Sequence, residues 1–282
     1  MRRALATAAV GLLLLAGEAA AQGDCFPPTD SHEAQTFGIM SVPLAFSPLS
    51  APQAVSRTTV RLGLEGSTVA NPDPITRTPT ICRPGKGPER TDFLFAVPRP
   101  RVGVLLPNGF GLEVSWIPPV RVASVKANLL SVALGRVMPV GGMSLGLRAH
   151  ATVGLIRAPI TCDTDALADP TSECFQGTRS DDRFHPNIFG VDATLGFPAA
   201  GGRAHPYFGA GYSHMHPRFQ VNFTNSQGST DNRRVAVDLN RAVAFGGIGW
   251  TPAPTWELTG ELYASLGDAV SARLVVRKAV TP

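Results

Sequence analysis

The segment Met143–Leu155 alternates without interruption between apolar residues at odd positions and small, polar or charged residues at even positions. A period of two predicts a β-strand with one apolar and one polar face. Strands of soluble proteins usually have about 5–6 residues, whereas a tilted strand of about 9–11 residues crosses a bilayer. The length and the pattern together predict a membrane-spanning strand. Its polar face, which carries Arg148 and His150, must then face away from lipid.

The N-terminal 21 residues have the pattern of a cleaved signal peptide. Arg2 and Arg3 precede the apolar residues 8–16, and three alanines at 19–21 form a small-residue cleavage site. The apolar stretch is too short for a membrane-spanning helix, which needs about 20 residues. We therefore expect an exported chain that starts at Gln22 and has no transmembrane helix.

The composition fits one large β domain better than a helical enzyme. Only 16% of the residues are charged, and the chain contains 29 Gly and 25 Pro, as expected for many strands joined by tight turns. The net charge is a mild +4, and the arginines are scattered without interleaved aromatic residues. This pattern argues against a nucleic-acid partner.

Nine further segments alternate in the same way, which predicts about ten strands, with eight or twelve as alternatives. With Met143–Leu155 as the fifth, they lie at residues 60–65, 101–106, 110–116, 130–136, 189–197, 207–212, 235–250, 256–266 and 270–276. Several short connections, such as the tight-turn pair Asn108 and Gly109, alternate with long ones, as in a membrane barrel. The apolar parity changes near Asn240, which predicts a β-bulge.

Six aromatic residues are placed as an interfacial girdle would require. Phe189 and Phe197 share a face and lie about 26 Å apart along a strand, or roughly 20 Å vertically after tilting. This is close to the ~25 Å apolar band of outer-membrane barrels. The alternative, a soluble β-sandwich, would have shorter strands and more heavily charged polar faces. The expected girdle is Phe110, Trp116, Phe189, Phe197, Trp250 and Trp256.

With these features the chain resembles the small bacterial outer-membrane β-barrel proteins, of the kind that includes OmpA-type transmembrane domains. The resemblance rests on the signal peptide, the long alternating strands and the aromatic-glycine segment 206–212 (PYFGAGY), and it covers residues 57–278. It implies an all-β fold, a transmembrane antiparallel up-and-down β-barrel in the outer membrane. No functional residue can be carried over from a likeness of fold alone.

The resemblance also implies a monomer whose partners are outer-membrane lipids, lipopolysaccharide and the barrel-assembly machinery. The expected organisation is a signal peptide at 1–21, an N-terminal segment at 22–56 and the barrel at 57–282. An even number of strands is expected to place both chain ends on the periplasmic side. The N-terminal segment is expected either to pack inside the lumen or to add a strand.

Ten charged or titratable residues share the parity that faces the lumen. Because an isolated buried charge is costly, we expect them to pair as a network that fills the barrel. The alternative is a charged constriction in a narrow channel. The set is Arg61, Glu65, Arg101, Glu113, Arg148, His150, Asp192, Glu257, Glu261 and Arg273.

Four cysteines in an exported chain suggest disulfide bonds. Cys162 and Cys174 flank one acidic loop and are expected to pair, which is worth about 2–3 kcal/mol in the chain-entropy model. Cys25 and Cys82 are then left, and their pairing stays open because it would require the N-terminal segment to thread the lumen. The spacing of the cysteines does not fit a zinc site.

No metal, cofactor or catalytic residue is expected. His214 and His216 share a strand face near His185, but the sequence offers no third metal ligand. The acidic loop around Asp163, Asp165, Asp169 and Glu173 lacks the spacing of a calcium loop. A hydrolase site could draw only on Ser213, His214, His216, Asp181 and Asp182, and Ser213 and His214 have opposite parity.

The sequence therefore predicts a non-enzymatic outer-membrane barrel with a largely closed lumen and a structural, surface or ligand-binding role. A narrow passive channel of the porin type is the alternative. A hydrolase with a site at the rim is the third and weakest interpretation.

Overall fold

Ten long antiparallel strands close into a barrel in the computed structural model, which describes residues 24–69, 81–83, 97–122, 124–198 and 202–280. Each strand pairs with the next, and β10 pairs with β1. The strands are β1 Thr59–Val69, β2 Val97–Leu105, β3 Phe110–Ile117, β4 Val125–Val140, β5 Met143–Ala158, β6 Ile188–Gly196, β7 Ala204–Met215, β8 Leu239–Ala253, β9 Trp256–Ser265 and β10 Ala269–Val280. The predicted barrel of ten strands is confirmed, while the predicted signal peptide at 1–21 lies outside the described residues.

The barrel is apolar outside and polar inside. On β5, outward Leu147 is 46% exposed, whereas inward His150 and Thr152 are buried. Outward leucines on other strands, such as Leu134 and Leu262, are even more exposed. A soluble β-sandwich would bury its apolar faces against each other, so this arrangement excludes the sandwich and is that of a lipid-facing wall. None of the described helices is long and apolar enough to cross a membrane.

Short turns lie at one end of the barrel, here called the short-turn end, and longer loops lie at the other, the long-loop end. The β2–β3 turn needs Gly109, whose φ is +85° and whose added Cβ would come within 2.3 Å of the Val137 carbonyl oxygen. The turn between β4 and β5 consists of two glycines, Gly141 and Gly142, which also have positive φ. Glycine is required there because other residues rarely adopt this conformation.

A cap of short strands covers the long-loop end. Asp182–His185, Arg218–Gln220, Arg234–Ala236 and Asp24–Cys25 pair in this order and extend the sheet from the end of β5. The remaining small elements are strand Arg121–Val122, which pairs with β4, the hairpin of Phe223–Thr224 with Thr230–Asp231, and the five-residue helix Thr164–Ala168.

The predicted β-bulge near Asn240 is wrong. Arg234–Ala236 belongs to the cap, whereas β8 begins at Leu239 and pairs with β7 in unbroken register as far as Trp250. The parity changes because the chain leaves the cap and enters the barrel wall between these two strands. The register shift of β8 lies instead between Trp250 and Ala253.

The N-terminal residues enter the barrel from the long-loop end. Helix α1, His32–Ser41, is capped by Ser31 and is followed by the 3-10 turn Val42–Leu44. The chain then runs down the lumen to Pro52, which lies against Gly146 and Gly196 near the short turns. We call residues 32–53 the plug. The expectation that both chain ends lie on one side is wrong for the described part of the chain, because Asp24–Cys25 pairs with the cap at the long-loop end, whereas β10 ends at the short-turn end.

Candidate functional site

The barrel holds the plug through the plug's own backbone. All eight carbonyl oxygens from Val42 to Leu49 accept a hydrogen bond from a side chain of the barrel wall. The donors are Arg273 to Val42 and Ala45, Ser67 to Pro43, Arg99 to Leu44, Arg148 to Phe46, Arg101 to Ser47, and Arg277 to Pro48 and Leu49. The Val42 carbonyl also accepts a hydrogen bond from the Ala45 amide in the 3-10 turn. Residues 45–49 lie outside the helices and strands, and a guanidinium offers their carbonyls five donors in a fixed fork.

The aromatic ring of Phe46 lies at the centre of this contact. The ring is fully buried, and the guanidinium carbons of Arg101, Arg99 and Arg148 lie 4.2, 5.6 and 5.9 Å from its centroid. A cation over an aromatic face is attracted to it, most strongly when both are desolvated. The plug therefore offers the arginines both carbonyl oxygens and a π face.

Carboxylates on the same inner face balance the arginines. Glu65 lies 2.9 Å from Arg101, and Glu113 lies 2.8 Å from Arg101 and 3.1 Å from Arg277. On the neighbouring strands, Asp192 pairs with Arg148 at 2.8 Å. All ten residues of the expected lumen set face the interior, where the remaining contacts are Arg61 with Glu257, His150 with Asp192, Arg273 with Glu65, and Glu261 with Tyr207 and the Leu49 amide.

Two arginines outside the predicted set belong to the same network. Arg277 bonds the plug and Glu113, and Arg99 is almost fully buried at 1% exposure. Arg99 was missed because Pro98 and Pro100 suggested that the strand starts at Arg101. Both prolines lie on the outward face of β2, and Arg99 shares the odd-numbered parity of Arg101, which was the signal available in the sequence.

The lumen is not completely filled at the short-turn end. A cavity of about 120 Å³ lies between the end of the plug and the wall, where Arg61, Glu113 and Arg277 line it together with Pro52. Arg61 donates a hydrogen bond to Gln53 at 3.0 Å. The lining of the cavity includes these charged side chains, and the space is large enough for several water molecules.

A clamp ties the loops at the long-loop end to the start of the plug. Cys25 is bonded to Cys82, and Cys162 is bonded to Cys174. Next to the first disulfide, the buried Arg83 lies 2.5 Å from Glu173 and 3.1 Å from Asp231, which belong to two other loops. We call Arg83, Glu173 and Asp231 the outer clamp. The Cys82 amide also donates to Glu33 of α1.

Burial alone would raise the pKa of Asp231, but hydrogen bonds from Arg233 and the charge of Arg83 outweigh it and lower that pKa. Burial raises the pKa of nearby Asp182, although its carboxylate accepts hydrogen bonds from the Thr161 and Asn222 amides and from Ser180. The pKa values of the two acids are therefore shifted in opposite directions.

The structure does not bring the residues of a rim hydrolase together. Ser213 is buried on the inner face, 3.5 Å from the Tyr263 hydroxyl.

The histidines lie on the outward face or in the cap. The rings of His214 and His216 are 4.0 Å apart on the outward face, where His214 bonds Asn240 and His216 bonds Asp238. His185 lies opposite Arg218 in the cap, and Asp182 begins the same cap strand as His185. No three His, Cys, Asp or Glu side chains among the described residues form a group that could hold a metal.

The six expected girdle residues all lie on the outward face. Five are between 41% and 54% exposed, and the sixth, Phe197, is partly covered because it stacks on Phe208 with centroids 5.5 Å apart. Trp256 also carries Lys278 over its ring at the short-turn end. These positions fit side chains that lie at a membrane interface.

Comparisons with protein-family models and with curated protein sequences gave no match. Among solved structures, the N-terminal β-barrel domain of Pseudomonas aeruginosa OprF is 13% identical, with a TM-score of 0.32 over 61% of this chain and 98% of that one. Ail, the attachment invasion locus protein of Yersinia pestis, is 10% identical, with a TM-score of 0.31 over 79% of this chain and 97% of that one. The KdgM porin is 10% identical, with a TM-score of 0.32 over 78% and 99%.

The resemblance to small outer-membrane β-barrel proteins is confirmed at the level of the fold. The evidence for the fold is the closed strand pairing described above. The likenesses to solved structures carry no argument at these TM-scores, and a shared fold does not imply a shared function.

Proposed function

We propose that the protein is a non-enzymatic bacterial outer-membrane barrel whose own N-terminal segment keeps its lumen closed and which acts as a structural or surface protein. One observation carries the proposal: every carbonyl oxygen from Val42 to Leu49 is bonded by a barrel side chain. If the plug left the lumen, the buried arginines and the plug carbonyls would have to be rehydrated or would stay unpaired. Each unsatisfied group would cost about 1–3 kcal/mol.

The plug is also held at both ends, which supports a permanent closure. At the long-loop end the disulfide Cys25–Cys82 joins the residues before α1 to the β1–β2 loop. At the short-turn end the chain continues from Pro52 directly into β1, which begins at Thr59. A segment fixed in this way cannot leave through either mouth without breaking a covalent bond or unfolding the wall.

Single-channel recording in planar bilayers tests the closure. We expect no discrete conductance steps from the purified wild-type protein. The matched control is a variant that lacks residues 26–52 and whose folding is checked by its migration on gels before and after heating. Conductance steps in this variant alone would assign the closure to the plug, whereas steps in the wild-type protein would overturn the proposal whether or not the variant folds.

The second candidate is the narrow passive channel. The observation that favours it is the charged cavity beside the plug, with Arg61 and Arg277 on its wall. Six lumen arginines face five carboxylates, so a conducting wild-type protein would be expected to prefer anions. The reversal potential in a salt gradient would measure this preference.

A further inference from the structure

A row of basic side chains crosses the outer wall at the long-loop end. In the strand register, Arg121 lies opposite Lys126, and Lys126 lies opposite Arg157. The row continues into the cap, where Arg157 lies opposite Arg183, Arg183 opposite Gln220, and Gln220 opposite Arg234. We call this set the cationic row: Arg121, Lys126, Arg157, Arg183 and Arg234.

The register places the row on the outward face. Residues directly opposite each other on paired strands project from the same side of a sheet. The neighbours of Arg157, Arg183 and Arg234 along their strands, Ile156, Phe184 and Val235, are at most 4% exposed and belong to the core inside the cap. The cations therefore point away from the lumen and from the core inside the cap.

The row begins where the apolar wall ends. On β5, Arg157 is the next outward residue after Leu155, the last of the apolar series that starts at Met143. From Met143 to Leu155 the strand rises about 40 Å, or about 30 Å vertically at a tilt of ~40°. This distance spans the ~25 Å apolar band, so Arg157 and its neighbours lie at the level of the lipid headgroups.

The positive charge of the row is only partly balanced by the described residues around it. Asp181 lies 3.6 Å from Arg157, and Asp24 lies opposite Arg234 at the end of the row. Two carboxylates thus accompany five cations. Like charges placed directly opposite on paired strands destabilise a sheet, so the run Lys126, Arg157 and Arg183 is a cost to the fold that an anionic ligand would remove.

We propose that the cationic row binds the phosphate groups of an outer-leaflet lipid whose headgroup carries more than one phosphate. Arginine binds phosphate oxygens through two parallel N–H donors. Strands in a sheet are about 4.8 Å apart, so Lys126 and Arg183 are separated by about 10 Å and can hold two phosphates of one headgroup. A groove of about 330 Å³ beside Arg183 and Arg234 offers additional room.

A membrane lipid, rather than a soluble polyanion, is the occupant because Lys126 and Arg157 lie on the lateral wall directly above the apolar belt. A ligand there can place its acyl chains on residues such as Leu155 and Leu130 while its phosphates meet the row. The inference rests on the proposed outer-membrane location but not on the closure of the lumen.

Titration of the full-length protein in detergent with bisphosphorylated lipid A tests the inference. The test variant is Lys126→Gln/Arg157→Gln/Arg183→Gln. The control, Arg136→Gln/Lys278→Gln, removes two outward cations at the short-turn end, where they stack on Phe110 and Trp256. We expect saturable binding by the wild type and the control, affinity at least tenfold weaker for the triple variant, and weaker binding at higher salt.

Dephosphorylated lipid A and inositol hexakisphosphate separate the possible sources of affinity. We expect neither to bind the wild type as tightly as bisphosphorylated lipid A. Equal affinity for the dephosphorylated lipid, equal or tighter binding of the soluble polyanion, or an unchanged affinity in the triple variant would each overturn the inference. If the triple variant does not fold, Arg183→Gln alone is expected to weaken binding at least threefold. Bilayer conductance bears only on the closed lumen, so the two proposals can fail separately.

Discussion

Arg101 shows how a single residue can carry a charge inside this barrel. Its side chain is 2% exposed and donates hydrogen bonds to Glu113, Glu65 and the Ser47 carbonyl while lying over the Phe46 ring. Removing a charge from water costs several kcal/mol, and the penalty is offset only when all donors find partners. Arg101 therefore joins the wall to the plug as well as β2 to β1 and β3.

Replacing Arg101 with methionine is expected to destabilise the protein by about 3–5 kcal/mol. The substitution keeps much of the side-chain volume but leaves the buried carboxylate of Glu65 without its closest cation. Urea unfolding of the folded protein in lipid vesicles, followed by tryptophan fluorescence, measures the change. Arg136→Met, at an outward position, is the control and should change the free energy of unfolding by less than about 1 kcal/mol. An equally small loss for Arg101→Met would contradict the role given to the network.

Gly38 lies in α1 at a close contact with the β9–β10 turn. A Cβ added there would lie 2.5 Å from the carboxyl carbon of Asp268, whose side chain is held by Arg241 and Ser265. Gly38→Ala would stabilise an exposed helix by about 1 kcal/mol. Here we expect a loss of about 1–3 kcal/mol because the carboxylate cannot move aside without giving up its partners.

A double-mutant cycle separates these effects. In the Asp268→Ala background the contact is absent, so Gly38→Ala should no longer destabilise the protein. The free energies of unfolding of the four proteins give the coupling between the two sites. A coupling energy near zero would mean that α1 is not pressed against this turn.

At the scale of elements, a disulfide bond near its start holds the plug in addition to the plug's contacts with the wall. The two disulfides enclose very different lengths of chain, with sequence separations of 57 and 12 residues. Cross-linking distant residues removes more conformational freedom from the unfolded chain than cross-linking near ones. The bond at the start of the plug is therefore expected to contribute more to stability than the bond within the acidic loop.

Serine variants of each cysteine pair test this ranking. We expect Cys25→Ser/Cys82→Ser to lower the free energy of unfolding by about 4 kcal/mol and Cys162→Ser/Cys174→Ser by about 3 kcal/mol. Each pair is the control for the other in the same urea titration. The reverse order would show that strain or residual structure, and not loop length, decides the contribution of these bonds.

The outer clamp is expected to loosen in acid. The pKa of Asp231 is lowered in the folded protein, so its contribution is complete above its ordinary value of 3.8 and is lost as the pH falls through the lower folded pKa. Pepsin digestion at several pH values below about 4, with the cut sites mapped by mass spectrometry, reports opening of the cap. Wild-type cleavage should approach that of Asp231→Asn as the pH falls, and a constant difference between the two proteins would contradict this assignment.

At the scale of the whole molecule, closure of the sheet has the largest consequence. Because β10 pairs with β1 over ten residue pairs, the barrel has no free edge and cannot unfold strand by strand. Such closed barrels unfold slowly, so their stability is partly kinetic. The apolar outer wall also requires lipid or detergent around the folded protein.

Gel migration and fractionation test this picture. We expect the protein in SDS to migrate faster before heating than after, and to be recovered with the outer-membrane fraction of a Gram-negative cell. Pro100→Asp, which puts a charge on the outward face of β2, should reduce the folded fraction, whereas the same change at the exposed turn residue Asn108 should not. A protein that stays soluble without detergent would contradict the membrane barrel.

The sequence by itself determined the strands, their number and the two faces of the wall, because a period of two depends only on neighbouring residues. It also indicated most of the inward charges, including Arg148 and His150 on β5. Only the tertiary structure decided that residues 32–53 pass through the lumen, that Cys25 joins Cys82, and that Arg99 belongs to the network. These features depend on contacts between residues far apart in the chain: eight carbonyls in a row meet six side chains from four strands, and no local pattern in the plug encodes those partners.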